Sequence, residues 1–158
     1  MSQRRFLVSV IGGHECDKDA AKIAEHIGRI IAEENAVLVC GGLGGIMEAA
    51  CRGAKKRDGL TIGIIPGGDK NDANKFVDIV ITTGMGYSRN TIVAGAADAV
   101  VAFSGKYGTL SEIGFALNAK KRVYGFGTWD IKGVKRLENP EEFSKILRTL
   151  KGESAWKT

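Results

Sequence analysis

Short, almost continuously apolar runs recur along the chain at Phe6–Ile11, Val37–Cys40, Leu60–Ile65, Val77–Ile81, Ala99–Phe103 and Arg122–Phe126. Each has the length of a buried strand. Between them the apolar positions change to helical spacing. Asp17 caps a stripe of Ile23, Ile27, Ile30 and Ile31, and a second stripe carries Ile46, Met47, Ala50, Cys51 and Ala54. Ser88 is a candidate cap for an Ala-rich helix reaching Ala97, and Leu110, Ile113 and Leu117 mark the next helix. Pro140 stands at a first helical position, ahead of a stripe of Phe143, Ile146, Leu147 and Leu150. The polar stretch from Pro66 to Lys75 reads as a loop able to cover a ligand, and residues 153–158 read as a tail after one domain over 1–152.

Strands exposed on one face would alternate apolar and polar residues, and these do not. The pattern predicts an α/β fold: a doubly wound parallel sheet with helices on both faces. In such sheets ligands bind beyond the carboxyl ends of the strands. The glycines cluster there.

Two turns stand out. Gly41-Gly42-Leu43-Gly44-Gly45 follows the second strand, and Ser104-Gly105-Lys106-Tyr107-Gly108-Thr109-Leu110-Ser111-Glu112 follows the fifth. A helix N-terminus has unpaired N–H groups and a positive dipole end, so a glycine turn leading into one is a natural anion seat. Two seats in one small domain point to one phosphorylated ligand. Other nucleotide motifs fail on spacing. The third glycine of a dinucleotide fingerprint would fall on Met47, and Gly105-Lys106 is followed by Tyr107 rather than the Ser or Thr of a P-loop. A nucleophile elbow is missing, and His14 and His26 share no short ligand spacing with the cysteines, so no metal site is expected.

Composition narrows the classes further. The chain has 158 residues, 44% hydrophobic and 26% charged, with 22 glycines and 2 prolines. A chain of this length buries about 70% of its unfolded surface and needs no staple. The net charge of +5 is spread out. Its short clusters, Lys55-Lys56-Arg57 and Lys120-Lys121-Arg122, fall where helices end and cations complement the dipole, which argues against nucleic acid as a partner. Cys16, Cys40 and Cys51 form no Cys-x-x-Cys pair and read as reduced packing thiols of a cytoplasmic protein. The start at Met1 shows no signal-peptide pattern, and Asp98 breaks the longest apolar run, so no membrane association is expected.

Gly84-Met85-Gly86-Tyr87-Ser88-Arg89-Asn90 and the second glycine turn carry a family resemblance. An Arg opening one helix and a Glu in the first turn of the next resemble the Rossmann-like superfamily once labelled "lysine decarboxylase-like". It includes the cytokinin-activating phosphoribohydrolases of the LOG family and the molybdenum cofactor carrier proteins. The resemblance runs from Val10-Ile11-Gly12-Gly13 to about Phe126. In the hydrolase branch the second motif reads Pro-Gly-Gly-x-Gly-Thr-x-x-Glu. Gly105, Gly108, Thr109 and Glu112 match it, while Ser104 and Lys106 replace the proline and a glycine. Hydrolases also follow their Arg with Lys, where this chain has Asn90. The compact form is more similar to the carrier proteins and their bacterial and archaeal relatives.

The resemblance implies a Rossmann-like domain that binds a phosphorylated small molecule, either molybdenum cofactor or a nucleotide, with no further cofactor required. Gly12, Gly13, Gly41, Gly42, Gly44, Gly45, Arg89, Asn90, Gly105, Lys106, Gly108, Thr109 and Glu112 are the expected binding residues. Backbone N–H groups of Gly105 to Thr109 would hold a phosphate, Arg89 would meet a phosphate or carboxylate with its planar fork, and Glu112 would take ribose hydroxyls or the edge of a pterin. A carrier is the first reading. The alternative is a LOG-like phosphoribohydrolase releasing base and ribose 5-phosphate from nucleoside 5′-monophosphates, with Arg89 and Glu112 as its catalytic pair. A homo-oligomer, dimer or tetramer, is implied as well, and the helices after the glycine turns are candidates for its interface. A blander reading makes the glycines mere packing devices.

Overall fold

A computed structural model describes residues 4–155. Residues 1–3, at the start over which no signal peptide was expected, and residues 156–158 of the expected tail lie outside the described residues. The strands are β1 (Leu7–Ile11), β2 (Val37–Cys40), β3 (Thr61–Ile65), β4 (Ile79–Thr82), β5 (Ala99–Phe103), β6 (Arg122–Phe126) and β7 (Val134–Arg136). The helices are α1 (Lys18–Glu33), α2 (Ile46–Lys55), α3 (Asn90–Ala96), α4 (Tyr107–Asn118) and α5 (Pro140–Ala155). Short 3-10 turns occupy Lys70–Asp72 and Gly86–Arg89.

All seven strands form one parallel sheet in the order β4-β3-β2-β1-β5-β6-β7. The chain builds outward from β1 to β4, then returns to place β5 on the other side of β1. Two halves thus diverge between β1 and β5, and the loops after these strands part to leave a crevice. One face is covered by α1, α2 and α5, whose Ile27, Ala50 and Phe143 join Val10, Leu38 and Val101 in a core layer. The other face carries α3 and α4, with Val93, Ala94 and Ile113 over Ile11, Val39 and Val100. Burying both faces explains why β1, β2 and β5 read as almost unbroken apolar runs, with Ser9 in β1 satisfied by donating to the Val93 carbonyl at 2.6 Å.

Helix α1 begins where Asp17 accepts a hydrogen bond from Ala20 N at 2.7 Å. It meets α2 backbone to backbone. A Cβ on Gly28 would lie 1.9 Å from the Ala50 carbonyl oxygen, and one on Gly53 the same distance from that of Glu25. Ion pairs of Lys55 with Asp78, Lys56 with Glu25 and Arg57 with Glu33 tie down the cationic end of α2. Cys40 and Cys51 are buried thiols with Sγ atoms 3.5 Å apart, and Cys16 is half-buried and free.

The structure corrects several boundaries. The fourth strand starts at Ile79 rather than Val77, because Asn74 and Thr61 hold the preceding backbone in a turn. Ser88 does not cap α3; it lies inside the 3-10 turn, and its carbonyl accepts from the Thr91 hydroxyl at 2.9 Å. The last helix runs through Gly152 to Ala155, into the segment read as a tail. The seventh strand, Val134–Arg136, is too short and too cationic to stand out as apolar. Among the described residues no helix is long and apolar enough to cross a membrane.

Candidate ligand-binding site

The crevice between the loops after β1 and β5 opens into a cleft of about 680 Å³. Its walls come from Gly13 to Glu15 after β1, Leu43 and Met47 around the first glycine turn, and Pro66 after β3. Gly86, Tyr87, Arg89 and Asn90 line it ahead of and at the start of α3, and Gly105, Lys106, Gly108, Thr109 and Glu112 at the start of α4. The strand order brings these distant segments together.

The turn into α4 is built for close approach. Gly13 N donates to the Ser104 carbonyl at 2.8 Å, tying the two diverging loops. Thr109 is buried, and its hydroxyl lies so near Gly105 that a Cβ there would stand 2.0 Å from Oγ1. Lys106 occupies the N-cap position with no side-chain cap. The N–H groups of Tyr107, Gly108 and Thr109 therefore have no side chain closing them, and an anion is their natural partner. Trp129 braces the turn from outside: its Nε1 donates to the Gly105 carbonyl at 3.1 Å, and its ring stacks on Tyr107 with centroids 6.2 Å apart.

Arg89 and Glu112 form the floor, 7% and 6% exposed. Arg89 Nη2 donates to the Gly41 carbonyl at 3.3 Å, Nη1 donates to Asn90 Oδ1, and Nε is buried without a partner. Arg89 Nη1 and Glu112 Oε1 stand 3.7 Å apart, too far for a hydrogen bond. Burial pushes the Glu112 carboxyl up to about 8, with the nearby Arg89 charge pulling the other way. Burial also lowers the Arg89 guanidinium from its ordinary value, against the pull of Glu112. Asn90 links this floor to α4: its Nδ2 donates to Ser111 Oγ at 3.3 Å and to the Gly108 carbonyl at 3.5 Å.

Of the residues expected from sequence, Gly13, Arg89, Asn90, Gly105, Lys106, Gly108, Thr109 and Glu112 converge on the cleft. The others stand behind its wall. A Cβ on Gly12 would meet Ile46 at 2.8 Å, and one on Gly41 would meet Arg89 Nη2 at 2.7 Å. Gly42 and Gly45 have φ of 76° and 63°, and the Gly44 N–H donates to His14 Nδ1 at 3.3 Å. The Gly42 N–H donates to Cys40 Sγ, and Ile46 N, opening α2, donates to the Gly13 carbonyl. The first glycine turn thus spends much of its backbone on its own packing. His14, Glu15, Leu43, Met47 and Pro66 line the cleft without having been singled out as binding residues. Of these, His14 stands in the loop directly after β1, where ligands bind in such sheets. The loop over 69–75 does not line the cleft. Its Asn74 donates to the Leu43 carbonyl at 2.8 Å.

Comparison with known proteins places the fold as a whole. A protein from Archaeoglobus fulgidus, described as uncharacterized, is 45% identical over 136 residues, covering 85% of this chain and 89% of its own length. Among solved structures, the molybdenum cofactor binding protein from Rippkaea orientalis superposes with a TM-score of 0.88 at 34% identity, over 94% of this chain and 99% of that one. The Moco carrier protein from Chlamydomonas reinhardtii gives 0.85 at 31% identity, over 95% and 99%. The resemblance drawn from the Arg89 and Gly105–Glu112 segments is borne out, and so is the Rossmann-like sheet. The SLOG cluster4 family model matches residues 5–155, and the chain belongs to that family.

Proposed function

We propose that this protein binds and carries a phosphorylated pterin cofactor of the molybdenum cofactor class. The observation that carries the reading is the pairing, in one cleft, of an uncapped helix N-terminus beside Lys106 with a buried Arg89–Glu112 floor. The two ends suit different parts of one ligand. The N–H groups of Tyr107 to Thr109 and the Lys106 ammonium would take the phosphate, where each charge-assisted hydrogen bond contributes about 1.5–3 kcal/mol. At the floor, the protonated Glu112 carboxyl both donates and accepts a hydrogen bond, which complements the amide-like edge of a pterin. The orphaned Nε of Arg89 offers a further donor. The Moco-binding neighbours support the choice of cargo.

The phosphoribohydrolase alternative asks Glu112 to face a cationic sugar as a carboxylate. Burial that keeps Glu112 protonated near neutrality opposes that role. The free thiols suit a reducing compartment such as the cytoplasm.

One experiment separates the readings. Purified protein is incubated anaerobically with cofactor released from a molybdoenzyme, passed through a desalting column, oxidised and assayed for pterin fluorescence. In parallel it is incubated with nucleoside 5′-monophosphates and assayed for free base. Retained pterin near one per chain, lost in Thr109→Val, with no base release supports the carrier. Base release that disappears in Glu112→Ala establishes the hydrolase instead.

A further inference from the structure

We propose that Tyr87 is the specificity-determining residue of the cleft: its ring stacks on one face of a flat heterocycle whose phosphate sits at the start of α4. The inference rests on the reading of the cleft as the seat of a phosphorylated, ring-bearing ligand.

The first observation is an aromatic ring left in water at a binding cleft. Tyr87 lines the cleft, yet it is 88% exposed. Tyr107, the other strongly exposed tyrosine, already has a partner, since its ring stacks on Trp129. Among the described residues Tyr87 has no aromatic neighbour in stacking contact. A tyrosine side chain turns about only two torsions, so fixing it on a ligand costs little entropy while covering a large apolar area.

The second observation is that the backbone of Tyr87 is held while its ring is free. Gly84 N donates to the Gly67 carbonyl and Gly86 N to the Pro66 carbonyl, each at 3.1 Å, which stitches this segment to the loop after β3. Gly84 and Gly86 take φ of 62° and 58°, the left-handed region that glycine enters without strain, and they lead the chain into the 3-10 turn Gly86–Arg89. Side chains three residues apart eclipse in such a turn, so Tyr87 rises on the side of Asn90, whose amide is bound to Ser111 and Gly108 of α4. Its phenol lies within electrostatic range of the Arg89 guanidinium. The ring is therefore presented at the Arg89–Glu112 floor by a fixed backbone.

The third observation is the division of chemistry within the cleft. A heterocycle that hydrogen-bonds through its edge to Glu112 and Arg89 leaves both of its faces for apolar contact. Leu43, Met47 and Pro66 are the apolar side chains of the wall, and Tyr87 is the aromatic one. Lys106, Thr109 and the amides opening α4 recognise phosphate alone, and would accept inorganic phosphate or a sugar phosphate as readily as a larger ligand. The ring at position 87 is the group that favours a ligand with a flat heterocycle attached. Stacking of a base on an aromatic side chain is worth about 5- to 150-fold in affinity.

Calorimetric titration of the full chain with a phosphorylated pterin and, separately, with inorganic phosphate tests this. Tyr87→Ala is expected to weaken pterin binding about 5- to 150-fold and to leave inorganic phosphate binding unchanged, while Tyr87→Phe binds the pterin as the unmodified chain does. Tyr87→Leu, which keeps bulk without a ring, takes the place of the alanine variant should that fail to fold. Equal pterin binding by Tyr87→Ala and the unmodified chain overturns the inference and leaves the carrier reading standing. An equal loss for pterin and phosphate overturns it too, as does a Tyr87→Phe variant as weak as Tyr87→Ala. If the unmodified chain does not bind the pterin, guanosine 5′-monophosphate and ribose 5-phosphate replace it. Binding of the nucleotide that depends on Tyr87, with ribose 5-phosphate indifferent to it, supports the stacking residue and discards the cargo. Nucleotide binding that is absent or indifferent to Tyr87 then overturns both.

Discussion

Arg89 Nη1 and Glu112 Oε1 face each other across 3.7 Å at the floor of the cleft, both side chains buried and neither hydrogen-bonded to the other. Arg89 gives its donors to Gly41 and Asn90 instead. The acid is left in a desolvated place with only a loose counter-charge, so its neutral form is favoured. An ion pair closed at that depth would have to offset the desolvation of both charges.

This arrangement predicts a pH dependence of stability. Glu112 is raised in the folded state to about 8 from an ordinary value of 4.5, so the folded protein holds a proton that the unfolded chain releases. The stabilisation is fully present below about pH 4.5 and declines through the window up to about pH 8, with a limiting slope of about 1.4 kcal/mol per pH unit. Urea denaturation of the unmodified protein between these limits should show the decline, and Glu112→Gln should flatten it. A flat profile in the unmodified chain would show that Glu112 is ionised in the fold.

Gly45→Ala is expected to act on folding rather than on binding chemistry. Its φ is 63°, and an added Cβ would lie 2.3 Å from the carbonyl oxygens of Gly13 and His14. Left-handed strain and overpacking together cost about 2 kcal/mol or more, a fall in Tm of roughly 4–8 °C. Calorimetry on the variant measures it.

Lys106→Ala should do the reverse. The side chain is exposed, so thermal stability should hold, while affinity for a phosphate-bearing ligand drops about tenfold with a shallower salt dependence. Titration calorimetry with the phosphorylated pterin at two salt concentrations gives both quantities.

Trp129 offers a reporter. Its Nε1–H holds the Gly105 carbonyl and its ring lies against Tyr107, so a ligand seated on the Gly105–Thr109 turn should change its emission. Trp129→Phe should abolish that change and weaken binding about fivefold, through loss of one hydrogen bond of roughly 1 kcal/mol. An unchanged response in the variant would assign the signal to Trp156.

The two periodicities of the sequence were enough to determine the parallel sheet, because strands covered on both faces are apolar at nearly every position and helices covered on one face only at every third or fourth. The cap at Asp17, the start at Pro140 and the glycine turn into α4 were all legible, since each rests on neighbours within a few residues. What needs long-range contact was not. The edge strand Val134–Arg136 exists only because β6 offers it a partner. The packing roles of Gly28, Gly53 and Gly41 appear only when another backbone or Arg89 arrives beside them. The strand order placed His14, Met47 and Pro66 in the same cleft as Glu112. Burial, a property of the assembled fold and not of the residue, decided that this acid holds its proton.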